Sequence, residues 1–363
     1  MKAAVLRAHD GKFEIEDVDL AAPIGREVVV DVKACGLCHS DLHLAEDDYG
    51  YPIPAVLGHE PAGIVAATGP DVTEFTIGDH VVGSLVQFCG HCEACLDGRT
   101  YQCLHPEQTL RQAGQPSRIT RNGETISQTF GLGGFAERIL AHENQLAKVP
   151  RDVPFPQAAI LGCGTITGAG AAINTAGVRP GDSVAVIGAG GVGLNVISGA
   201  RLAGASRIVA VDLQPAKLKL ARKFGATDCV DAGHGDPVAA VRELTGGGVQ
   251  HAFEVIGLKS TCEQALQMTR VGGGAYLIGL QVPGDKIEVE VMTDMIFGQR
   301  KVQGVMMGST NIKHDIPMYA ELYLQGRLDL DDLIAQEINI SQINDAYQEL
   351  ETGAIARSVI TSF

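Results

Sequence analysis

Within fifteen positions the chain sets Cys89, Cys92, Cys95 and Cys103 in a C-x2-C-x2-C-x7-C pattern beside Gly90. Four thiolates that close in sequence suit one tetrahedral Zn²⁺ and leave no coordination position open, so such an ion is structural. An iron–sulfur cluster is the other group that takes four cysteines. A nucleic-acid-binding zinc ribbon would need basic flanks, whereas this lobe carries Glu93, Asp97 and Glu107.

A second set lies upstream. Cys35-Gly-Leu-Cys38-His39-Ser40-Asp41-Leu42-His43 is followed by Gly58-His59-Glu60, and Cys163 stands between Gly162 and Gly164. Cys38, His59 and Cys163 together make a Cys₂His set, the ligand type of catalytic zinc with one position left for water or substrate. Each piece alone reads equally well as a buried structural residue. Cys35 is expected to be a buried thiol, because no thioredoxin-like unit follows the C-x2-C spacing.

The third chemical signal is Ser183-Val-Ala-Val-Ile187-Gly188-Ala-Gly190-Gly191-Val-Gly193, a strand running into G-x-G-x-x-G and then a helix. In that setting the glycines let the backbone approach a pyrophosphate at a helix N-terminus. Asp212 follows at the end of the next strand. Its carboxylate would accept hydrogen bonds from the adenosine ribose and repel a 2′-phosphate, which favours NAD over NADP.

These residues need a scaffold, and 363 residues suffice for about two domains. Apolar residues make up 45% and charged residues 20%, so a packed core is expected. The formal charge of −15 argues against nucleic acid and anionic membrane as partners. The N-terminus has no apolar run of signal-peptide type. The uncharged stretches Val153–Val178 and Ser183–Ala200 are rich in Gly and Ala and read as buried core, giving a soluble protein. Nine cysteines in such a chain point to a reducing compartment.

Residues 1–150 read as mainly β, with strands over Glu27–Lys33 and Gly78–Val82. From Ser183 the pattern alternates: strand Ser183–Ile187, helix Gly193–Ala203, strand Arg207–Val211 and helix Pro215–Phe224. Buried strands follow at His251–Val255 and Ala275–Ile278. Alternation of this kind predicts a doubly wound α/β sheet. The tail is expected to hold helices over Met318–Gln325 and Ile343–Thr352 and a strand over Ala356–Thr361.

Taken in order, the motifs carry a resemblance. G-L-C-H-S-D at 36–41, G-H-E at 58–60, the quartet, G-C-G-T-I-T-G at 162–168, the fingerprint at 188–193, F-E-V-I-G at 253–257 and A-R-S-V-I-T-S-F at 356–363 resemble the zinc-dependent medium-chain alcohol dehydrogenases. The resemblance implies a GroES-like β-rich catalytic domain from 1–163 and 307–363, bearing a zinc lobe at about 89–103. A Rossmann domain would be inserted at 164–306, with the active-site cleft between the two.

It further implies two Zn²⁺ per chain, one catalytic on Cys38, His59 and Cys163 and one structural on the quartet. Glu60 would be the carboxylate near the catalytic metal and Asp41 the acid that orients the ligand histidine. Ser40 and His43 would begin and end a proton relay, reached through the cofactor ribose. For NAD, His39 and Arg357 match pyrophosphate contacts and Lys217 a ribose contact. Thr167, Val192, Ile256, Ile278 and Leu280 match positions around the nicotinamide end. Ser40, Tyr49, Leu85, Leu132 and Leu280 match substrate-pocket positions. The reaction implied is reversible oxidation of a primary or secondary alcohol by hydride transfer to NAD. A cytoplasmic homodimer is expected, a tetramer being the other arrangement in the family.

Three other readings bear on the same motifs. Glutathione-dependent formaldehyde dehydrogenases share most of them, but place an Arg a few residues after the quartet, where this chain has Glu107 or, with the loop aligned differently, a neighbour of it. Polyol dehydrogenases replace the Cys163 ligand by Glu. A zinc-bearing scaffold without activity would be a binding protein, and would hold zinc yet reduce no NAD.

Overall fold

The structure, a computed structural model, describes residues 1–351 and 357–363. The expected helix end at Thr352 and strand start at Ala356 lie outside the described residues. The chain forms two compact units, Met1–Cys163 with Asn311–Phe363, and Gly164–Thr310. The second crossing thus falls at 310/311 and not at the expected 306/307. The reason is local: Thr310 Oγ1 donates to the Ile166 carbonyl at 3.3 Å, and Thr175 Oγ and Ser309 Oγ lie 2.8 Å apart. Met307–Thr310 therefore folds with the inserted unit.

In the first unit, Glu27–Gly36 is the strand around which the others are arranged. It pairs antiparallel with Glu60–Thr68, Arg138–His142 and Ser358–Ser362. It runs three residues beyond the expected Lys33, because Ala34 and Cys35 are fully buried and continue the apolar run. A second, mainly antiparallel sheet contains Lys2–Leu6, Phe13–Asp17 and Glu124–Gln128. The core between these layers holds Phe13, Phe135 and Tyr347, with Phe13 stacked on Tyr347 at 5.5 Å and edge-on to Phe135 at 5.8 Å.

The inserted unit is a parallel sheet in the spatial order Asp228–Asp231, Arg207–Asp212, Ser183–Ile187, Val249–Glu254, Thr269–Leu277, Lys301–Gly304. Its order reverses between Ser183–Ile187 and Val249–Glu254, the place where such sheets bind ligands at their carboxyl ends. The helix Gly191–Leu202 begins two residues before the expected Gly193. Small residues let it pack closely: a Cβ on Gly168 would sit 2.3 Å from the Val192 carbonyl, and one on Gly199 2.7 Å from Ala169 Cα.

The tail helix runs Ile312–Leu324, well before the expected Met318, with Pro317 inside it. Asn311 starts it by accepting the Lys313 N–H. The stretch Phe155–Thr175 is long and apolar enough to cross a membrane, yet 83% of it is buried inside the protein. Burial suits the expectation that it is core.

Candidate functional site

The register of the first unit gathers residues that are far apart in sequence. Gly36 at the end of Glu27–Gly36 lies opposite both Glu60 and Val359. Cys38, His59–Glu60 and Arg357 flank those strand ends. A Cβ on Gly36 would come 2.2 Å from Glu60 Oε2, so this glycine is what admits the carboxylate. Cys163 comes from a π-helical turn, Leu161–Thr165, a local widening often found at functional positions. Beside it Gly162 packs so tightly that a Cβ would lie 2.3 Å from the Gly83 carbonyl.

One ligand-capable atom each of Cys38, His59, Glu60 and Cys163 lies within 4.8 Å of the others, and all four residues are buried. His59 Nδ1 donates to Asp41 Oδ1 at 3.0 Å, and the same oxygen accepts the Gly58 N–H at 3.0 Å. The carboxylate thereby fixes the tautomer and turns Nε2 toward Cys163 Sγ, 3.3 Å away. Ser40 Oγ lies 3.7 Å from Cys38 Sγ, half-buried; His43 is half-buried one turn along the helix His39–Glu46, and His39 is exposed.

The charges are arranged for a cation. A hydrogen bond from Cys163, then the nearby Arg357 and His59, hold the Cys38 thiol well below its ordinary range. Cys163, donating to Cys38 and buried, is pushed up in turn. Burial pulls the His59 imidazole down, but the Asp41 carboxylate outweighs it and keeps it well above the usual value. Burial pushes the Glu60 carboxyl up to about 7, against the pull of Arg357. Glu60 Oε2 has no partner among the described residues. A buried thiol pair, an oriented imidazole and an unpartnered carboxylate oxygen fit a divalent metal with Cys₂His ligation.

The quartet is equally well formed. Cys89 to Cys95, Cys92 to Cys95 and Cys92 to Cys103 span 3.9, 3.4 and 4.0 Å between sulfurs. A tetrahedron with Zn–S bonds of about 2.3 Å has edges of about 3.8 Å, so one ion fits. Burial pushes the Cys103 thiol up, and the backbone N–H groups of Cys89 and His105, which point at its Sγ from 3.1 and 3.3 Å, offset part of that.

In the inserted unit, Gly188 has φ +95° and lies under Ile256, where a Cβ would meet Ile256 Cγ1 at 2.8 Å. A Cβ on Gly193 would strike the Gly188 carbonyl at 1.8 Å. Nothing lies within 4 Å of a Cβ on Gly190, so protein packing does not require that glycine. The open space above it is the cradle a pyrophosphate needs at the N-terminus of Gly191–Leu202. Asp212 Oδ2 accepts the Ala189 N–H at 2.8 Å and Oδ1 the Gln214 N–H at 2.9 Å. It braces the turn and keeps lone pairs for a ribose. Lys217, Val192 and Ile278 are half-buried, Thr167 is buried, and Ile256 and Leu280 are exposed.

One expectation needs revising. Leu132 has no exposed surface and belongs to the core, so it is not a pocket residue; Phe130, two positions earlier, stands against His59 instead. Arg357, the residue matched to a pyrophosphate contact, is buried and donates Nη1 to Glu60 and to the Leu37 carbonyl. Glu254 carried no assigned role either. It is fully buried and accepts from Ile256 N, Gly257 N and Thr261 Oγ1, each at 2.8 Å, so it shapes the loop that presents Ile256.

Known proteins agree with this geometry. Residues 25–151 match the alcohol dehydrogenase GroES-like domain, and residues 191–325 match the zinc-binding dehydrogenase family. The chain is a zinc-dependent medium-chain alcohol dehydrogenase. An S-(hydroxymethyl)glutathione dehydrogenase of Synechocystis is 37% identical, covering 99% of each chain. Benzyl alcohol dehydrogenase of Acinetobacter calcoaceticus superposes with a TM-score of 0.94 at 35% identity, covering 100% of this chain and 99% of that one. An alcohol dehydrogenase zinc-binding domain protein of Burkholderia ambifaria reaches 0.95 at 38% identity, covering 100% and 98%. This dehydrogenase therefore combines a GroES-like unit with a nicotinamide dinucleotide-binding sheet.

Proposed function

We propose that this dehydrogenase oxidises a simple primary or secondary alcohol with NAD rather than NADP, as a cytoplasmic homodimer, with Cys38, His59 and Cys163 holding the catalytic zinc. The observation that carries the reading is the buried Cys38–His59–Cys163 set with His59 oriented by Asp41. Bound there, zinc supplies a Lewis acid for the alcohol oxygen, and the dinucleotide supplies the hydride acceptor. Ser40, beside Cys38 and half-open, takes the substrate proton. His43 on the same helix delivers it to solvent. Asp41 keeps His59 aimed, and Arg357 balances the charge of Glu60.

Asp212 supports NAD, since a carboxylate at the end of its strand repels a 2′-phosphate and Leu213-Gln214 brings no cation. A simple alcohol is favoured over a glutathione adduct by the cations after the quartet. Glu107, matched to the place of the glutathione-gripping Arg unless the loop aligns on a neighbour, is an acid and faces His105 at 3.6 Å. Arg111 is engaged with Glu27 and with the Ala22 and Pro116 carbonyls, and Arg118 with Glu27 and the Thr109 carbonyl. The dimer is supported by apolar side chains left open near the edge strand Lys301–Gly304, among them Val291, Met292, Ile296 and Phe297.

The test is an initial-rate panel with NAD over short, long-chain, terpenoid and benzylic alcohols, with formaldehyde plus glutathione included. Turnover of free alcohols that Ser40→Ala nearly abolishes supports the reading. Turnover confined to formaldehyde plus glutathione would replace it, and two zinc ions per chain with no NAD reduction would make the protein a scaffold. Light scattering should give twice the 38.1 kDa chain mass.

A further inference from the structure

The amino-terminal end of the parallel sheet carries a cavity of about 820 Å³, lined entirely by residues of the inserted unit. It lies where the strands Ser183–Ile187 and Arg207–Asp212 begin, with Ser183 and Arg207 in its wall. The glycine turn stands at the other end of Ser183–Ile187, about 17 Å away at the usual rise of a strand. A molecule in this cavity would therefore leave the dinucleotide cradle free.

Two departures from regular backbone shape it. Val249 pairs with Thr269 and His251 with Gly274, so one strand advances two residues while its neighbour advances five. The extra residues form a bulge, a device that re-aims side chains, and it brings Arg270 and Val271 to the cavity. On another wall the helix Pro237–Thr245 runs into three consecutive glycines, Gly246 to Gly248, with φ of 65°, 126° and 127°. A Cβ on Gly248 would strike Arg270 N at 2.7 Å, but one on Gly246 or Gly247 would meet nothing within 4 Å. The surface at Gly246 and Gly247 is bare backbone that a ligand can approach closely.

The arginines at this end are not equally occupied. Arg207 donates Nη1 to the Leu244 carbonyl and lies 3.4 Å from Asp228. Arg242 donates Nη1 to the Gln267 and Thr269 carbonyls at 3.1 and 3.2 Å. These two answer the negative ends of the helices Pro237–Thr245 and Lys259–Met268. Arg270 is exposed and forms no hydrogen bond or ion pair among the described residues. Asp182, next to the wall residue Ser183, is taken up by the Arg179 N–H, Gln250 Nε2 and His251 Nε2. The Ser183, Ser206 and Thr245 hydroxyls all donate to protein acceptors. No acidic side chain lines the cavity among the described residues, although the chain carries a formal charge of −15.

The donors left over are guanidinium N–H groups, whose planar fork matches the oxygens of a phosphate or carboxylate. The volume is far more than a bare ion fills and is that of a metabolite site. We propose that this cavity is a second small-molecule site, which binds an organic oxyanion with its charged head on Arg270. Arg207 adds a second positive charge, and the body of the ligand lies on Gly246, Gly247 and the side chain of Val271, 66% exposed.

The test is isothermal titration calorimetry of the zinc-loaded enzyme saturated with NADH, so that the cofactor cradle is filled before any probe is added. The probes are glycerol 3-phosphate, glutarate and inorganic phosphate. At least one organic probe should bind more tightly than inorganic phosphate, and whichever is tighter assigns the head to a phosphate ester or to a carboxylate. Arg270→Gln should weaken that binding at least tenfold, the loss of a charge-assisted contact, and Arg270→Glu should abolish it. Melting temperature and alcohol oxidation should not change in either variant, because the Arg270 side chain is exposed and holds no other residue. Ser206 is also exposed, so Ser206→Glu, which brings a carboxylate to the cavity, should weaken binding independently. Undiminished binding in Arg270→Gln would overturn the site. So would no heat from any probe at millimolar concentration, or organic probes no tighter than inorganic phosphate.

Discussion

Glu60 and Arg357 form an ion pair across 297 residues of sequence, with the carboxylate fully buried and the guanidinium side chain 7% exposed. It is made possible by Gly36, whose missing Cβ leaves the space for Glu60 Oε2. Gly36→Ala should therefore displace Glu60, loosen its hold on Arg357 and lower kcat/KM at least tenfold. Overpacking of this kind costs about 1–3 kcal/mol. Thermal unfolding should fall by a few degrees, and a variant with unchanged turnover and stability would show that Glu60 adapts freely.

The two metal sites should fail in different ways. Cys163→Ser should abolish turnover with the fold largely kept, because only the Cys₂His set leaves a position for substrate. Cys92→Ser should lower the melting temperature, because closed zinc sites contribute folding free energy. Zinc content per chain and scanning calorimetry, measured on both variants, check the assignment. The reverse pattern would exchange the roles.

Cofactor choice should turn on Asp212. Asp212→Ala removes the charge that repels a 2′-phosphate, and also the acceptor of the Ala189 and Gln214 N–H groups. The kcat/KM ratio of NAD to NADP should fall by one to two orders of magnitude, largely through a raised KM for NAD. An unmodified enzyme that already prefers NADP would refute this.

His142 should give the stability a pH dependence unrelated to catalysis. Its Nδ1 accepts the Asn144 N–H at 3.1 Å, which requires a neutral ring. Burial first, and then Arg26, hold it down to about 4. An unfolded imidazole titrates near 6.5, so the unfolded chain binds the extra proton between about 4 and 6.5. The contribution of His142 is complete above about pH 6.5 and declines as pH falls toward 4. His142→Asn keeps the acceptor without the titration, so the fall in melting temperature over that window should be shallower in the variant.

What could be read from the sequence was what is local in it. The quartet spans fifteen positions and the glycine fingerprint six, and each carries its chemistry in its own spacing. The strand Ser183–Ile187 and the helix Pro215–Phe224 occur at the expected residues, because each is bounded by turn-formers next to an apolar run. The helix over Ile312–Leu324 was harder to delimit, since Pro317 argues for a break that Asn311 capping and burial of Ile316 and Tyr319 override. Nothing local announces that Arg357 will find Glu60, or that Phe130 rather than Leu132 will face His59. Those outcomes depend on sheet register and on a strained turn held by Gln145, which only the folded chain supplies.

The unequal depth of the two thiol clusters sets the order in which damage arrives. Cys38 and Cys163 are buried, whereas Cys95 and Cys103 retain surface, and Leu96 and Leu104 beside them are largely exposed. A peroxide or a chelator diffusing in from solution therefore meets the quartet first. Ageing of this enzyme would begin as loosening of the 89–103 lobe, well before the reacting centre is touched, and a stored sample would lose solubility ahead of its activity per folded molecule.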